Sequence, residues 1–367
     1  MKTVVKKLIV KYNDRTVGYL VEFENSKIAF QYESEWIDNG FSISPLSLPL
    51  SSKVFINNKD TFSGLYGVFS DSLPDGWGEL LVSRMLSKKG INYSKLPPLV
   101  KLTLISNNGL GALTYEPTQA LIQSMQNCDL DELARDANLV LCDDSYSQDF
   151  DFDALYALGG SSGGARPKAH IKDGAEHWIV KFPTSTDPQD IGLQEYLANQ
   201  LAKDCGIAVN EFKLFSSKNC VGYFGAKRFD IKNGKRIHMV SLSSLLETTH
   251  RIPNLDYQHL FQLIQRISVN QSDLYEGFSR MCFNVLFGNR DDHGKNFAFI
   301  YDDAKRGYRL SPAYDTTKTP RKKEHEMTVN GSGIPSDLDL LEVAKRMKLS
   351  RVECEKILSK LKEILFT

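Results

Sequence analysis

An apolar helical pattern that ends at a glycine and passes into a polar loop is the feature that most constrains this chain. Apolar residues recur at steps of three and four residues from Leu274 to Leu286, which predicts a helix with one buried face. The helix is expected to end at Gly288, where the loop Gly288-Asn289-Arg290-Asp291-Asp292-His293-Gly294-Lys295-Asn296 begins. This loop carries the strongest chemical signal in the sequence.

The spacing inside the loop favours one kind of chemistry. Asp291 follows Arg290 and is separated from Asn296 by four residues. A protein-kinase catalytic loop has this Arg-Asp step and this Asp-x-x-x-x-Asn spacing, since a carboxylate must meet the hydroxyl while an amide oxygen binds a phosphate-held metal. Two other interpretations stay open, an ordinary polar turn and a hydrolase metal site. A two-metal hydrolase site needs further ligands on other strands, and no upstream Asp-x-His sequence supplies them.

A glycine-rich stretch precedes a predicted hairpin earlier in the chain. It reads Leu158-Gly159-Gly160-Ser161-Ser162-Gly163-Gly164-Ala165-Arg166-Pro167-Lys168, and the hairpin turn is expected at Asp173-Gly174. The second hairpin strand carries Lys181, which alternates with Trp178, Val180 and Phe182, so its side chain is expected to face away from that apolar set. The stretch matches neither a P-loop nor Gly-x-Gly-x-x-Gly. It is therefore either a surface loop or a set of backbone N–H groups that approach phosphate oxygens beside the lysine. Glu195, on a helix predicted from Gln189 to Asp204, either pairs with Lys181 or is solvated.

A second carboxylate follows another predicted hairpin. Strands are expected at Phe297 to Tyr301 and at Tyr308 to Leu310, and the chain then reads Ser311-Pro312-Ala313-Tyr314-Asp315. A protein kinase has a metal-binding aspartate just after a hairpin at this place. The order of glycine loop, strand lysine, helix glutamate, Asp-x-x-x-x-Asn loop, hairpin and aspartate predicts phosphoryl transfer from Mg-ATP.

The remaining patterns predict an α+β fold. Strands at Val4 to Tyr12, Val17 to Phe23 and Ile28 to Tyr32 form an antiparallel meander, and a helix is expected from about Trp77 to Leu86. Further helices are expected around Leu130 to Leu141, at 337–347 and at 351–365, the last opened by a Ser350-x-x-Glu353 capping box. A single strand is expected from Arg236 to Val240, after a hairpin turn at Asn233-Gly234. We expect a β-rich N-terminal domain at 1–117, a connector and nucleotide-binding lobe at 118–240, and a mainly helical lobe with the catalytic loop at 241–367.

Composition excludes several classes of partner. The chain has 45 Lys+Arg and 45 Asp+Glu, so no chain-wide positive field draws it to nucleic acid or to a membrane surface. The sequence contains neither a membrane-spanning apolar run nor a signal-peptide core, which predicts a cytoplasmic protein. Its six cysteines lack zinc-like spacing and are expected to be reduced, buried thiols. Arg321-Lys322-Lys323 is expected to form an exposed basic turn rather than a docking site.

These motifs resemble the HipA family of bacterial serine/threonine kinases, the toxin halves of toxin–antitoxin pairs. The resemblance rests on Gly163-Gly164-Ala165-Arg166-Pro167-Lys168, Trp178-Ile179-Val180-Lys181-Phe182, Ala226-Lys227-Arg228-Phe229-Asp230, Asp291-Asp292-His293-Gly294-Lys295-Asn296-Phe297 and Pro312-Ala313-Tyr314-Asp315. Leu46-Ser47-Leu48-Pro49-Leu50 and Phe69-Ser70-Asp71-Ser72-Leu73-Pro74-Asp75-Gly76 are similar to the family's N-terminal domain. The chain departs from the family at Asp292, a position often held by glycine, which adds a negative charge beside Asp291.

The resemblance implies a kinase-like bilobal fold and a role for each matching residue. Asp291 would be the catalytic base, Asn296 and Asp315 the Mg²⁺ ligands, and Lys181 the contact to the phosphates of ATP. The other nucleotide-binding residues would be Ser161, Ser162, Gly163, Gly164, Ala165, Lys168, Glu195, His293 and Lys295. His293 is expected to organise the loop by hydrogen bonding rather than to bind a metal. Ser161 falls where family members carry an autophosphorylated serine, and Ser162 lies beside it, so either could be modified.

The resemblance also implies partners. Family substrates include aminoacyl-tRNA synthetases, and the usual partner is a helix-turn-helix antitoxin of HipB type that brings the pair to operator DNA. Contact with DNA would then be indirect, in agreement with the neutral charge, and no membrane partner is expected. An alternative is a catalytically silent kinase fold that binds the antitoxin and assists repression.

Overall fold

The computed structural model of the protein describes residues 4–23, 27–105, 109–119, 129–142, 152–161 and 163–366. Cys128 and Ser162 lie outside the described residues. The chain forms two compact units, the first made of Met1–Leu193 and Phe212–His238 and the second of Gln194–Glu211 and Met239–Thr367. The domain boundaries predicted at residues 117 and 240 rest on sequence motifs and not on compactness, so they remain a prediction.

An antiparallel sheet begins the first unit. Its strands are β1 (Lys7–Tyr12), β2 (Arg15–Phe23), β3 (Lys27–Tyr32), β4 (Phe55–Ile56) and β5 (Leu113–Glu116), in the order β4-β3-β2-β1-β5. The predicted meander is confirmed by β1 to β3, and two later strands extend it. Leu8, Val10 and Leu20 are fully buried, so their apolar surface is removed from water.

The helices of the first unit include several that the sequence pattern did not predict. They are α1 (Ser34–Asn39), α2 (Gly67–Ser70), α3 (Gly76–Ser87), α4 (Pro98–Thr103), α5 (Leu130–Cys142), α6 (Phe152–Gly159) and the start of α7 (Ile191–Asp204), with a short 3-10 helix at Tyr93–Lys95. The predicted helices α3, α5 and α7 are confirmed. Helix α6 was missed because all of its residues except Asp153 are buried, so it has no polar face and no helical period in its sequence.

A second antiparallel sheet completes the first unit. Strands β6 (Lys168–Asp173), β7 (Glu176–Lys181), β8 (Phe212–Phe215) and β9 (Tyr223–Lys227) lie in the order β6-β7-β9-β8, and β10 (Ile231–Lys232) pairs with β11 (Lys235–Arg236). The predicted turns at Asp173-Gly174 and Asn233-Gly234 are confirmed. Asn233 and Gly234 both have positive φ, 52° and 72°, as a two-residue hairpin turn requires.

The second unit combines small sheets with helices. Strands β12 (Met239–Ser241), β14 (Ala298–Asp302) and β15 (Gly307–Leu310) form one sheet, and β13 (Leu255–Asp256) pairs in parallel with β16 (Met327–Thr328). The helices are α8 (Leu242–Leu245), α9 (Tyr257–Ile267), α10 (Asp273–Phe287), α11 (Asp337–Arg346) and α12 (Arg351–Phe366). Helix α10 ends as predicted at Gly288, whose φ is +82°.

Two local predictions in this region are corrected. The single strand predicted from Arg236 to Val240 is wrong, because the chain leaves β11 at Arg236 and buries His238, whose Nε2–H donates to the Ile43 carbonyl (2.8 Å). The capping box predicted for α12 is also weak, since Glu353 N–H lies 3.5 Å from the Ser350 hydroxyl. A complete capping box forms instead at the start of α11.

The described cysteines are free thiols, but not all of them are buried. Cys205, Cys282 and Cys354 are buried as expected, whereas Cys142 is exposed and Cys220 is half-buried. Among the described residues, no helix combines the length and the apolar character that crossing a bilayer requires.

Candidate active site

The 288–296 loop follows α10 and is stabilised by its own hydrogen bonds. A 3-10 helix, Gly294–Asn296, closes it, and the Asn296 N–H donates to the His293 carbonyl (2.8 Å). The Asn296 side-chain amide donates to the Asp291 carbonyl oxygen (2.7 Å). Because this bond uses the amide nitrogen, the amide oxygen of Asn296 is directed away from it and can bind a cation. The Asp291 side chain is 43% exposed, so reactants can reach its carboxylate.

Asp292, directly after Asp291, is completely buried and stabilises the loop. Its carboxylate accepts hydrogen bonds from the Tyr257 hydroxyl (2.8 Å), His325 Nδ1 (2.7 Å) and the Glu326 N–H (3.0 Å). Burial, together with the Asp292 charge, raises the pKa of Tyr257 well above its ordinary value, so this phenol remains a donor. The negative charge of Asp292, at a position where the family often has glycine, is therefore satisfied by hydrogen bonds inside the fold.

Asp315 lies on a segment that is tied to the same loop. Its backbone takes a left-handed conformation with φ +54°, which is strained for a residue with a side chain and is common at functional sites. The Asn289 side-chain amide donates to the Asp315 carbonyl (3.3 Å) and to Asn284 Oδ1 (3.0 Å). The Tyr314 hydroxyl donates to the Lys295 carbonyl (2.6 Å). These bonds hold the segment that carries Asp315 against the segment that carries Asn296.

The donor set of Asn296 and Asp315 fits a magnesium ion. Mg²⁺ prefers oxygen ligands, and proteins often hold it with one or two side chains plus phosphate and water oxygens. An amide oxygen and a carboxylate on two hydrogen-bonded segments provide that kind of set. In the described part of the chain, no three His, Cys, Asp or Glu side chains gather as a metal site.

The glycine loop, residues 163–166, is fixed by the start of helix α3. Asp75 Oδ1 accepts a hydrogen bond from the Gly164 N–H (2.5 Å), and the Trp77 N–H donates to the Gly164 carbonyl (2.8 Å). Gly76 lies between them with φ +48°, and a Cβ there would come within 2.4 Å of the Gly164 oxygen. The Lys168 ammonium donates to the Gly163 carbonyl (2.5 Å). These contacts tie an exposed loop to helix α3, and its role in binding phosphate remains a prediction.

Ser161 precedes this loop and is buried. It is 9% exposed, and its hydroxyl has no hydrogen-bond partner among the described residues. It lines a small cavity together with Tyr93, Lys101 and Tyr156. Burial lowers the pKa of Lys101 below its ordinary value. Ser162, the other predicted modification site, lies outside the described residues.

Lys181 ends β7 and confirms the predicted alternation on this strand. Val180 and Phe182 are buried, whereas Lys181 is only partly buried. Its ammonium lies 5.7 Å from the centre of the Phe224 ring, and its partner in the strand register is Lys168. Two lysines therefore lie side by side next to the glycine loop.

The other residues that the sequence singled out around the nucleotide differ in their burial and their contacts. In the glycine loop, Ala165 is exposed and Arg166 forms a two-pronged ion pair with Asp187 (2.6 and 3.2 Å). Glu195 is 6% exposed, so the alternative that it is a solvated helix residue is wrong. His293 organises the loop through its carbonyl, while its buried Nδ1 accepts no hydrogen bond from the described residues.

The two compact units divide the predicted site residues between them. The glycine loop and Lys181 belong to the first unit, and Glu195, Asp291, Asn296 and Asp315 to the second. The structure brings together the 288–296 loop and Asp315, and separately the glycine loop and the lysines. The pairing of Lys181 with Glu195 remains a prediction.

Sequence reasoning missed one residue at the 288–296 loop. Arg321 and Lys323 are exposed as expected, but Lys322 is only partly exposed, and its ammonium lies 2.5 Å from Asp291 Oδ1 and 2.6 Å from Glu326 Oε1. Burial lowers the pKa of Lys322, but hydrogen bonds to the two carboxylates outweigh this and raise it above its ordinary value. No local pattern indicates a contact between residues this far apart in the chain.

Comparison with known proteins finds relatives that match part or most of this chain. The Toxin YjjJ of Escherichia coli (strain K12) is 28% identical over 172 residues, which cover 43% of this chain and 38% of that protein. Protein Y4mE of Sinorhizobium fredii (strain NBRC 101917 / NGR234) is 24% identical over 347 residues, covering 86% of this chain and 78% of that protein. The chain thus aligns with less than half of YjjJ.

A solved structure has the same fold. A chain in the complex of Shewanella oneidensis MR-1 toxin–antitoxin system HipA, HipB and its operator DNA superposes with a TM-score of 0.72 at 19% identity, covering 98% of this chain and 88% of that chain. The expected α+β fold is confirmed. The model of the HipA N-terminal domain matches residues 8–116, and the model of the HipA-like C-terminal domain matches residues 160–365. Since the second match alone spans more than half of the sequence, the chain belongs to the HipA family.

Proposed function

We propose that this protein is a serine/threonine protein kinase that transfers the γ-phosphate of ATP to a protein and acts as the toxin of a type II toxin–antitoxin pair. One observation carries the proposal. An exposed Asp291 carboxylate lies on a loop whose Asn296 amide is locked to the Asp291 carbonyl, and Tyr314 ties the Asp315 segment to that loop. This arrangement supports a phosphoryl-transfer site, in which the base and the metal ligands would lie on hydrogen-bonded segments.

Each residue then has a separate task. Asp291 orients the attacking hydroxyl and accepts its proton, a contribution of about 10²–10⁴-fold. Asn296 and Asp315 would hold Mg²⁺, which supplies charge neutralisation on the phosphate oxygens when bound. The glycine loop would approach the phosphates with backbone N–H groups, and Lys181 would add a positive charge. Because Asp75 and Trp77 already fix the loop, little ordering is required when a nucleotide binds.

Ser161 is the proposed autophosphorylation site. A phosphate adds about −1.5 to −2 charge and three oxygen atoms, for which the small cavity beside buried Ser161 has no room. Modified Ser161 would therefore have to leave its cavity, and nucleotide binding by the adjoining glycine loop would fall. Mass spectrometry of the wild type and of Ser161→Ala after incubation with Mg-ATP tests this, and an unmodified Ser161 peptide would remove this part of the proposal.

Partners are proposed on chemical grounds. The Shewanella structure contains HipB and operator DNA with its HipA. Equal numbers of basic and acidic residues in this chain agree with DNA contact through a helix-turn-helix antitoxin of HipB type rather than directly. The proposed substrate class is a protein such as an aminoacyl-tRNA synthetase.

The test is transfer of label from γ-labelled ATP to candidate synthetases. Wild type should label protein, and Asp291→Asn should not, while both bind Mg-ATP with similar affinity. Label released as free phosphate would favour a hydrolase. No turnover with tight antitoxin binding would favour the catalytically silent binding module.

A further inference from the structure

The segment that follows Asp315 is hydrogen-bonded along the 288–296 loop. The Thr319 hydroxyl accepts a hydrogen bond from the Arg290 N–H (2.7 Å), and the Thr319 N–H donates to the Gly288 carbonyl (3.1 Å). Further along, the Glu326 N–H donates to the Arg290 carbonyl (3.2 Å). We call residues 319–326 the clamp segment. Its backbone position is fixed relative to Asp291 by contacts at both of its ends.

The clamp segment places one lysine on the proposed base. Lys322 Nζ donates to Asp291 Oδ1 (2.5 Å) and to Glu326 Oε1 (2.6 Å), and the Arg290 guanidinium donates to the Lys322 carbonyl (3.1 Å). The Lys322 side chain is 37% exposed, so its ammonium is partly desolvated. Lys322 is therefore held at its backbone carbonyl by Arg290 and at its ammonium by Asp291 and Glu326.

An isolated ion pair at a surface contributes little, because two long side chains must be ordered to form it. Here the ordering is supplied by other contacts of the clamp segment, including the buried pair of His325 with Asp292 (2.7 Å). A carboxylate has two oxygens, and the lysine occupies Oδ1 of Asp291. The other oxygen, Oδ2, is then the one that can accept a hydroxyl proton, in a defined orientation.

We infer that Lys322 is a positioning residue for phosphoryl transfer, holding the Asp291 carboxylate through Oδ1 so that Oδ2 meets the hydroxyl of the substrate. This inference rests on the proposed function, and it adds a residue that none of the motifs resembling the HipA family contains. Lys322 acts through Asp291 and need not touch ATP. The adjacent lysine, Lys323, is exposed and provides a matched control.

The first experiment compares Lys322→Met, Lys322→Arg and Lys323→Met in the full chain, with steady-state phosphorylation of the protein substrate. Misplacing a reacting group lowers rates by roughly 10- to 100-fold, so kcat of Lys322→Met should fall by that factor. The KM for ATP should stay within about twofold of wild type, because the lysine positions the base and not the nucleotide. Lys322→Arg should recover most of kcat, and Lys323→Met should match wild type.

The second experiment restores the ammonium in a folded chain. Lys322→Cys treated with 2-bromoethylamine gains a side chain nearly identical to lysine, and its kcat should rise about tenfold or more. Treated wild type and treated Lys323→Cys control for the other thiols and should not change. Because the same folded sample is assayed before and after treatment, a folding defect cannot produce the recovery.

The outcomes separate the inference from the proposed function. If wild type transfers no phosphate, the proposed function fails. If wild type is active and Lys322→Met keeps its kcat, or loses activity through the KM for ATP alone, the positioning role is wrong. A higher kcat in Lys322→Met would also overturn it, since the lysine would then mask the base.

Discussion

Asp291 and Asp292 are adjacent carboxylates with opposite environments. The Asp291 side chain is 43% exposed, whereas Asp292 is fully buried among hydrogen-bond donors. A buried carboxylate is tolerated only when such donors replace its hydration. Asp291 is thus available for chemistry, because Asp292 fixes the loop.

Replacing Asp292 with asparagine should destabilise the protein. The amide would lose the charge and would turn an N–H group toward the Tyr257 hydroxyl, His325 or the Glu326 N–H, leaving donors unmatched. We expect a loss of roughly 2 to 4 kcal/mol in the free energy of unfolding. Urea denaturation checks this, with Asp291→Asn as the matched control, which should change stability by less than about 1 kcal/mol. Equal stability of the two variants would contradict the structural role of Asp292.

His238 gives a pH prediction. Burial lowers its pKa from 6.5 to about 4, although the hydrogen bond to the Ile43 carbonyl acts in the opposite direction. The unfolded chain therefore binds a proton between about pH 6.5 and 4 that the folded chain does not, so stability falls as the pH falls through this window.

The expected loss from this histidine is about 3 kcal/mol between pH 7 and pH 4. Urea unfolding of wild type and of His238→Gln over this pH range measures it. The glutamine amide can keep a donor for the Ile43 carbonyl but does not titrate, so the difference between the two curves isolates the histidine. Parallel curves would show that His238 takes up its proton over the same pH range in the folded and the unfolded chain, which would contradict the prediction.

At the scale of elements, periodicity and turn residues predicted much of the secondary structure. The meander, helices α3, α5, α7 and α10, and both predicted hairpin turns carry their signals within a few residues. Helix α6 carries none, because it is buried on nearly all sides. The contacts of Asp75 with Gly164 and of Lys322 with Asp291 join distant segments, and no single-sequence pattern encodes them.

The junction between α3 and the glycine loop gives a prediction at this scale. Gly76→Ala should displace the loop, because a Cβ at Gly76 would lie 2.4 Å from the Gly164 oxygen. We expect ATP affinity to fall by at least about tenfold, as isothermal titration would measure, since the loop N–H groups would lose their arrangement.

Gly90→Ala is the control for this substitution. Gly90 also has a left-handed backbone, with φ +70°, but nothing lies within 4 Å of a Cβ placed there. It should cost about 1 kcal/mol of stability without changing ATP affinity. If both alanine variants bind ATP like wild type, the junction does not control the loop.

At the scale of the whole molecule, the residues proposed to bind Mg-ATP include members of each compact unit. Lys181 belongs to the first and Asp315 to the second. A ligand that binds only the folded state stabilises it by about 2.7 kcal/mol at a concentration of 100 times Kd. Mg-ATP should therefore raise the Tm of the full chain.

Removing a residue from either unit should abolish this rise. We expect Lys181→Met and Asp315→Asn each to lose most of the Tm increase with Mg-ATP in a thermal shift measurement. Lys172→Met, on the neighbouring strand β6, and Asp303→Asn, after β14, are exposed and should keep it. Loss in only one of the two test variants would mean that the residues do not serve one nucleotide.

The Asp75 carboxylate and the Trp77 backbone N–H that hold the glycine loop come from the part of the chain matched by the N-terminal family model. A fragment beginning at residue 160 would keep every proposed catalytic side chain and still lack these two supports. The C-terminal module alone should therefore hold the glycine loop less firmly than the full chain does.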